Sequence, residues 1–182
     1  MKEIALHIMD LMENSVRAKA SSIKLTIKES TTDNLYSVTI EDDGVGMSPE
    51  FVSRVTDPYT TTRTTRKVGL GLPLIKMNTE IAGGGMSIDS EVGRGTILSF
   101  WYAHDSWDRP PLGDIAGTIV MLAANNENKR IIYKHISKKG EYTFDTKEIK
   151  EILGDMSINN YDIIKYLKEM INENILDIEA SK

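Results

Sequence analysis

The chain has 182 residues, 40% hydrophobic and 27% charged, the makeup of an ordinary soluble globular protein with room for one sizeable domain or a domain with an appendage. A formal net charge of −5 argues against a partner held by bulk phosphate neutralisation, so no nucleic-acid partner is expected. With no cysteine there is no disulfide, thiolate metal site or cysteine nucleophile, and no apolar run approaches the ~18 residues of a membrane span or forms a signal-peptide core, so a cytoplasmic protein without membrane contact is expected.

Residues 2 to about 20 contain neither Pro nor Gly and read as one helix. On a helical wheel Ile4, Ile8, Leu11 and Met12 share one side. His7, Asp10, Glu13, Asn14 and Arg17 fall on the other, with Asp10, Asn14 and Arg17 nearly in line at i, i+4 and i+7. An acid, an amide and a guanidinium in a row are either a solvated helix face or a cradle for a metal phosphate. Residues 22–28 alternate and predict a half-buried strand; a polar turn over 29–34 leads to a second strand over 35–41, together an antiparallel hairpin. That strand runs into Glu41-Asp42-Asp43-Gly44-Val45-Gly46-Met47. An acid at a strand end followed by two glycines is either a tight surface turn or a place where backbone leaves space for a ligand beside Asp42.

Ser48-Pro49-Glu50 starts a short helix to about Val55. The threonine-rich, basic stretch from Pro58 to Lys67 has no periodicity and is expected to be a mobile loop. It passes through Gly69-Leu70-Gly71 into a helix from Leu72 to about Ala82. A glycine-rich loop opening a helix, with Arg63, Arg66 and Lys67 beside it, suits an anion. Gly83-Gly84-Gly85 ends that helix, and Met86–Ser90 and Thr96–Tyr102 form a hairpin around the turn 91–95. Residues 104–114, with Trp107-Asp108-Arg109-Pro110-Pro111, read as a linker between residues 1–103 and a small α+β C-terminal module, 115–182. In that module Ile115–Ala124 and Arg130–Ser137 are predicted strands, continued by Tyr142–Phe144. Asp145 or Thr146 then caps a helix through Leu153, and Asn159 or Asn160 caps another to about Asn174. The module holds no chemical constellation and is expected to dock a partner or form a dimer, so a homodimer stays open.

Four stretches now stand in order: Asp10-Leu11-Met12-Glu13-Asn14-Ser15, Asp42-Asp43-Gly44-Val45-Gly46-Met47, Gly69-Leu70-Gly71-Leu72-Pro73 and Gly93-Arg94-Gly95-Thr96. Over residues 1–103 they resemble the ATP-binding domain shared by gyrase, heat-shock chaperones, histidine kinases and mismatch-repair proteins, the GHKL superfamily. Pro58-Tyr59-Thr60-Thr61-Thr62-Arg63 and the last hairpin resemble the histidine-kinase branch most. The resemblance implies a two-layer α/β sandwich of the Bergerat type, a mixed sheet with helices on one face. It implies ATP and Mg²⁺ as ligands. Asp42 would accept a hydrogen bond from the adenine amine, Gly44, Gly46 and Met47 would line the base, and Thr96 would support it. Asn14 would be the Mg²⁺ ligand, with Arg17 turned to the phosphates. Gly69, Leu70, Gly71 and Leu72 would hold the phosphates, and Tyr59, Thr61, Arg63, Arg66 and Lys67 would close over them.

Two departures matter. Hydrolysing members of the superfamily carry Glu as general base four residues before the Asn, where this chain has Asp10, one methylene shorter, and a base must come within ~2.6–3.2 Å of the proton it takes. Glu13 is a second candidate, but the wheel turns it away from the line of Asp10 and Asn14. The sequence also starts at the ATP-binding helix, so a segment carrying a phosphoacceptor His is not expected; His7 on that helix reads as a local contact, and His104 and His135, at a strand end and in a tail strand, lack the helical setting of an acceptor. The expected function is a stand-alone kinase-like ATPase that passes phosphate to a separate protein, as the anti-sigma-factor serine kinases of this fold do, or hydrolyses ATP slowly. The alternatives are an ATP-gated protein-binding switch and a fold kept for protein interaction alone.

Overall fold

The computed structural model describes residues 3–55 and 71–181. In chain order they form α1 (Ile4–Arg17), β1 (Ser22–Ser30), β2 (Leu35–Asp42), α2 (Pro49–Val52), α3 (Gly71–Ile81), β3 (Gly85–Glu91), β4 (Gly95–Ala103), α4 (Ile115–Asn125), β5 (Arg130–Ser137), β6 (Gly140–Asp145), α5 (Thr146–Leu153) and α6 (Tyr161–Asp177). The alternating runs pair into one six-stranded sheet, β3-β4-β2-β1-β5-β6. It is mixed: β1 and β5 are parallel, and the other neighbours antiparallel.

The period of two sends Ile23, Leu25 and Ile27 of β1, Tyr36, Val38 and Ile40 of β2, Leu98, Phe100 and Tyr102 of β4, and Ile131 and Tyr133 of β5 to one buried face. Lys24, Thr26, Thr39 and Glu41 point to the open face, where Lys24 Nζ meets Glu41 at 3.0 Å. The wheel of α1 holds on its apolar side, with Ile4, Ile8, Leu11 and Met12 all 5% exposed or less; burying each such side chain contributes roughly 1.5–3 kcal/mol. His7 departs from the ligand-facing stripe and is fully buried, its Nε2 3.5 Å from Asn78 Nδ2 of α3. Burial lowers its pKa from 6.5 to about 4, so the ring is neutral.

The main correction lies at residues 115–124, expected as a strand and found within α4. A segment buried almost all round shows no period to separate helix from strand, because nearly every position is apolar. Ile115, Ala116, Ile119, Val120, Leu122, Ala123 and Ala124 are all buried. Length and capping decide for helix: the run is 11 residues long, and Asp114 accepts a hydrogen bond from Gly117 N at 2.9 Å. Topology agrees. β4 and β5 both run parallel to β1 in the register, so the chain must return between them, and a helix is the usual crossover.

Residues 104–114 are bound to the rest of the chain. Glu3 at the start of α1 makes no side-chain cap; instead Ile4 N and Ala5 N donate to Pro111 O and Leu112 O at 3.0 and 2.8 Å, which satisfies two of the unpaired amides of a helix start. The Arg109 guanidinium sits 4.6 Å above the Tyr36 ring. At the end of the sheet distant from Asp42, Glu29 of β1 bonds to His135 Nε2 at 2.7 Å, whose Nδ1 meets Tyr133 OH at 2.7 Å, and Ser181 N donates to the same Glu29 at 2.9 Å. Burial raises the Glu29 pKa, but bonds from His135 and Ser181 together hold it below the ordinary carboxylate value.

Candidate functional site

Asp42 is the last residue of β2. The register sets it opposite Thr96 of β4 and Ile23 of β1, so its side chain lies on the helix-covered face, at the edge of the core. The C-terminal half of α1 crosses this end of the sheet and holds it. Ser15 Oγ donates to Asp42 Oδ2 at 2.5 Å, Gly44 N donates to Oδ1 at 3.0 Å, and Val45 N donates to Ala18 O at 2.9 Å. The carboxylate is thereby fixed through both oxygens while keeping lone pairs for a ligand.

Asp43, its neighbour, has another task. Its carboxylate accepts from Ser21 N at 2.7 Å, from Ser22 N at 2.9 Å and from Ser21 Oγ, tying the turn to the start of β1. The Ser21 hydroxyl and those amides hold the Asp43 carboxyl below its ordinary pKa. The glycines are needed where backbone passes backbone. A Cβ on Gly46, at φ +67°, would lie 1.9 Å from Glu91 O, and one on Gly95, at φ +107°, would lie 1.9 Å from Asp42 O. On Gly44 it would lie 2.7 Å from Ala18 O. The β3–β4 turn therefore sits directly against the Asp42 stretch. Met47 N donates to Ser90 Oγ at 2.9 Å, and the same hydroxyl contacts Gly95 O and Thr96 Oγ1, each at 2.9 Å.

On α1, Asp10 faces the start of α3. A Cβ on Gly71 would lie 2.5 Å from Asp10 Oδ2, so glycine there lets the carboxylate rest against the helix start. Leu72 of the same first turn packs on the core. Asn14 is one turn further along α1, and its Oδ1 accepts from Arg17 Nη1 at 3.2 Å. Arg17 Nη2 also pairs with Glu13 at 2.9 Å, an exposed i,i+4 pair of small energetic worth. Glu13 is thus engaged with Arg17. Tyr59, Thr61, Arg63, Arg66, Lys67, Gly69 and Leu70, the expected lid and phosphate loop, lie outside the described residues. Sequence reasoning brought together Asp10, Asn14, Asp42, Thr96 and Gly71, and missed Ser15 and Ser90. Ser15 adjoins Asn14 in the first stretch and Ser90 is the hairpin partner of Thr96; both could have been found by asking what orients Asp42 and Thr96.

A cavity of about 490 Å³ at this end of the sheet is lined by Lys24, Glu41 and Ile97 of the open face and also by Asp42, Ser90 and Thr96. A groove of about 370 Å³ runs between α1, α4 and α6, lined by Leu6, Met9, Met121 and Ile164. Among the described residues no group of three or more His, Cys, Asp or Glu side chains is placed to hold a metal ion, and no helix is long and apolar enough to cross a membrane.

Residues 2–105 match the family described as histidine kinase-, DNA gyrase B-, and HSP90-like ATPase. Among curated proteins the chain is 30% identical over 96 residues to the histidine protein kinase DivJ of Caulobacter vibrioides, covering 50% of this chain and 16% of that protein. It is also 30% identical over 96 residues to the sensor histidine kinase ZraS of Salmonella typhimurium, covering 52% of this chain and 20% of the kinase. The chain thus spans about a sixth to a fifth of the length of these relatives. A crystal structure of the N-terminal domain of a DNA repair protein shares the fold at a TM-score of 0.58 and 15% identity, over 79% of this chain and 52% of that one. The fold likeness covers more of the chain than the family match does.

Proposed function

The chain belongs to the histidine kinase-, DNA gyrase B- and HSP90-like ATPase family, and from that premise we propose that it binds Mg²⁺–ATP and passes the γ-phosphate to a separate protein or, slowly, to water. The observation that carries the reading is Asp42, held by Ser15 and Gly44 opposite Thr96, with Asp10 and Asn14 following one another along the helix above it. A fixed carboxylate at the edge of an apolar core is suited to a flat base with an amine on its edge. Ser15 and Gly44 take one lone pair on each oxygen, and the lone pairs left over are open to a further donor from a ligand or water.

The donor set fits Mg²⁺. That ion takes hard oxygen ligands and keeps several waters, using one or two protein groups with phosphate oxygens. The Asn14 amide oxygen and the Asp10 carboxylate are such oxygens, one turn apart, and nothing among the described residues would cage a metal alone. Asn14 would be its protein ligand, and when bound the ion offsets phosphate charge. Asp10 and Asp42 make this side of the site acidic, so Arg17 together with Arg63, Arg66 and Lys67 would supply the remaining compensation. In the transfer, the bond from the γ-phosphorus to the β–γ bridging oxygen breaks and ADP leaves. The acceptor oxygen bonds to phosphorus and gives its proton to a base, for which Asp10 is the candidate. The proposal carries a cytoplasmic location, the compartment that supplies ATP.

Incubating the protein with γ-labelled ATP and with proteins that co-purify with it tests the transfer; label on a partner supports it, and label released only to water sinks it. A second reading, an ATP-gated binding switch with little turnover, is favoured by Asp10 standing where a longer Glu serves as base. In that case an Asp10→Asn protein still changes its protease sensitivity with ATP and still holds its partner.

A further inference from the structure

We infer that β6 is a docking edge for a second copy of this chain, the two strands pairing antiparallel about a two-fold axis at Tyr142 so that the two sheets become one. The sheet has β3 at one edge and β6 at the other, and the two edges differ. At β3, α2 packs on the strand, Met47 N donates to Ser90 Oγ at 2.9 Å, and Gly46 passes close against Glu91 O. At β6, among the described residues, no backbone group of 140–144 bonds to anything but β5. Such an edge is a template for a further strand, and proteins usually block it with Pro, a bulge or unpaired charge. Residues 140–145 hold no Pro, and their register with β5 runs without a bulge. Both acids of the strand are drawn back to β5, Glu141 to Lys134 at 2.8 Å and Asp145 to Arg130 at 2.6 Å. The helix layer adds apolar surface beside this edge. α6 touches β6, and its Ile164 and Lys168 line the groove at α4. The wheel sends Ile163, Tyr166 and Met170 to the opposite flank, where Tyr166 is 64% exposed.

The occupant is a second copy because an antiparallel edge is complementary to itself, and the side chains select the register. A two-fold axis normal to the sheet keeps each face on its own side, so opposed residues must point the same way and the axis must pass through a residue. On Thr143 it would set Glu141 opposite Asp145 of the other copy, and like charges directly opposed are destabilising. Nearer either end of β6, few residues remain to pair. On Tyr142 the axis sets Tyr142 against Tyr142, Glu141 against Thr143 and Gly140 against Phe144. An aromatic pair then lies at the centre, and a ring stands opposite each glycine. With about eight residues a side, the contact is smaller than the ~20–30 of a standard interface, so the dimer is reversible, with a Kd on the order of 10 µM.

Analytical ultracentrifugation of the full chain, from about 1 to 300 µM, brackets that Kd. The mass should move from 20.4 kDa toward twice that value. Thr143 is exposed, so its substitution leaves the core intact. Thr143→Glu sets a carboxylate opposite Glu141 twice in each dimer and should weaken association about tenfold, whereas Thr143→Lys, an opposite charge at the same place, should strengthen it. Because the chain has no cysteine, disulfides report the register. Directly opposed Cα atoms lie ~4.5–5.5 Å apart, within the span of a disulfide. Under mild oxidation, Glu141→Cys protein mixed with Thr143→Cys protein should crosslink far faster than either alone. A chain that stays monomeric throughout, or a dimer that neither Thr143 charge moves, overturns the inference. So does Thr143→Cys protein that crosslinks with itself as fast as with Glu141→Cys protein. None of these outcomes depends on nucleotide, so they leave the ATP reading to its own test.

Discussion

Gly95→Ala joins the fold to the site in one substitution. Gly95 opens β4 at φ +107°, and a Cβ there would stand 1.9 Å from Asp42 O, 2.8 Å from Asp42 C and 2.9 Å from Asp43 Cα. All three are backbone atoms at the end of β2, so no side chain can swing away. Holding Ala at positive φ costs ~1–2 kcal/mol. Moving the end of β2 aside costs a further ~1–3 kcal/mol, as other overpacked sites do. We expect a loss of roughly 3 kcal/mol, which for a chain of this length lowers Tm by about 6–12 °C. Gly93→Ala is the matched control: φ is +81°, but nothing lies within 4 Å of its Cβ. It should cost no more than ~1 kcal/mol, since the strain is partly offset by lower entropy of the unfolded chain. Urea denaturation of both variants, with ATP calorimetry on each, measures the difference. Gly95→Ala should also weaken ATP, because the displaced backbone is that of Asp42. Equal stability of the two variants, with ATP affinity intact in both, would refute the close approach of β4 to Asp42.

Three further outcomes are expected. Asp43→Ala should lower stability by about 1 kcal/mol through loss of the bonds to Ser21 and Ser22, yet leave ATP affinity within about twofold, separating two adjacent acids that the sequence presents alike; denaturant titration and calorimetry read both. His7 should make the folded state acid-sensitive. Its pKa is 6.5 when unfolded and about 4 when folded, so between those values the unfolded chain binds more protons and stability falls as pH drops through the window. His7→Gln should flatten that slope by up to ~1.4 kcal/mol per pH unit, measured by urea titrations from pH 7 to 4. Gly71→Ala should spare stability, because the atom its Cβ meets is the movable carboxylate of Asp10, while lowering turnover to the level of Asp10→Asn in a phosphate-release assay.

How far the sequence could be read depended on the range of the interactions. Local patterns were legible: the period of two in β1 and β2, the apolar stripe of α1, Ser48 and Pro49 opening α2, and Asn160 capping α6. Asp42 and Thr96 were legible as members of spaced stretches, and pairing of β2 with β4 brings them together. α4 was not, because burial on nearly every side removes the polar positions that mark a period. The row from Tyr133 through His135 and Glu29 to Ser181 joins positions up to 152 residues apart, and no local pattern announces such a partner. Ser15 and Ser90 escaped notice for a related reason: a serine shows its purpose only once the group it orients has a position.

The central claim is that Asp42 reads the base of a bound ATP. Titration of Mg²⁺–ATP into the wild-type protein and into Asp42→Asn, with thermal melts of both, tests it directly. Asn keeps the shape but replaces one acceptor oxygen with a donor amide, so the account predicts binding by the wild type and a loss of at least ~100-fold in the variant, with the fold retained. Equal affinity in the two proteins, or no binding by a folded wild type, would contradict it.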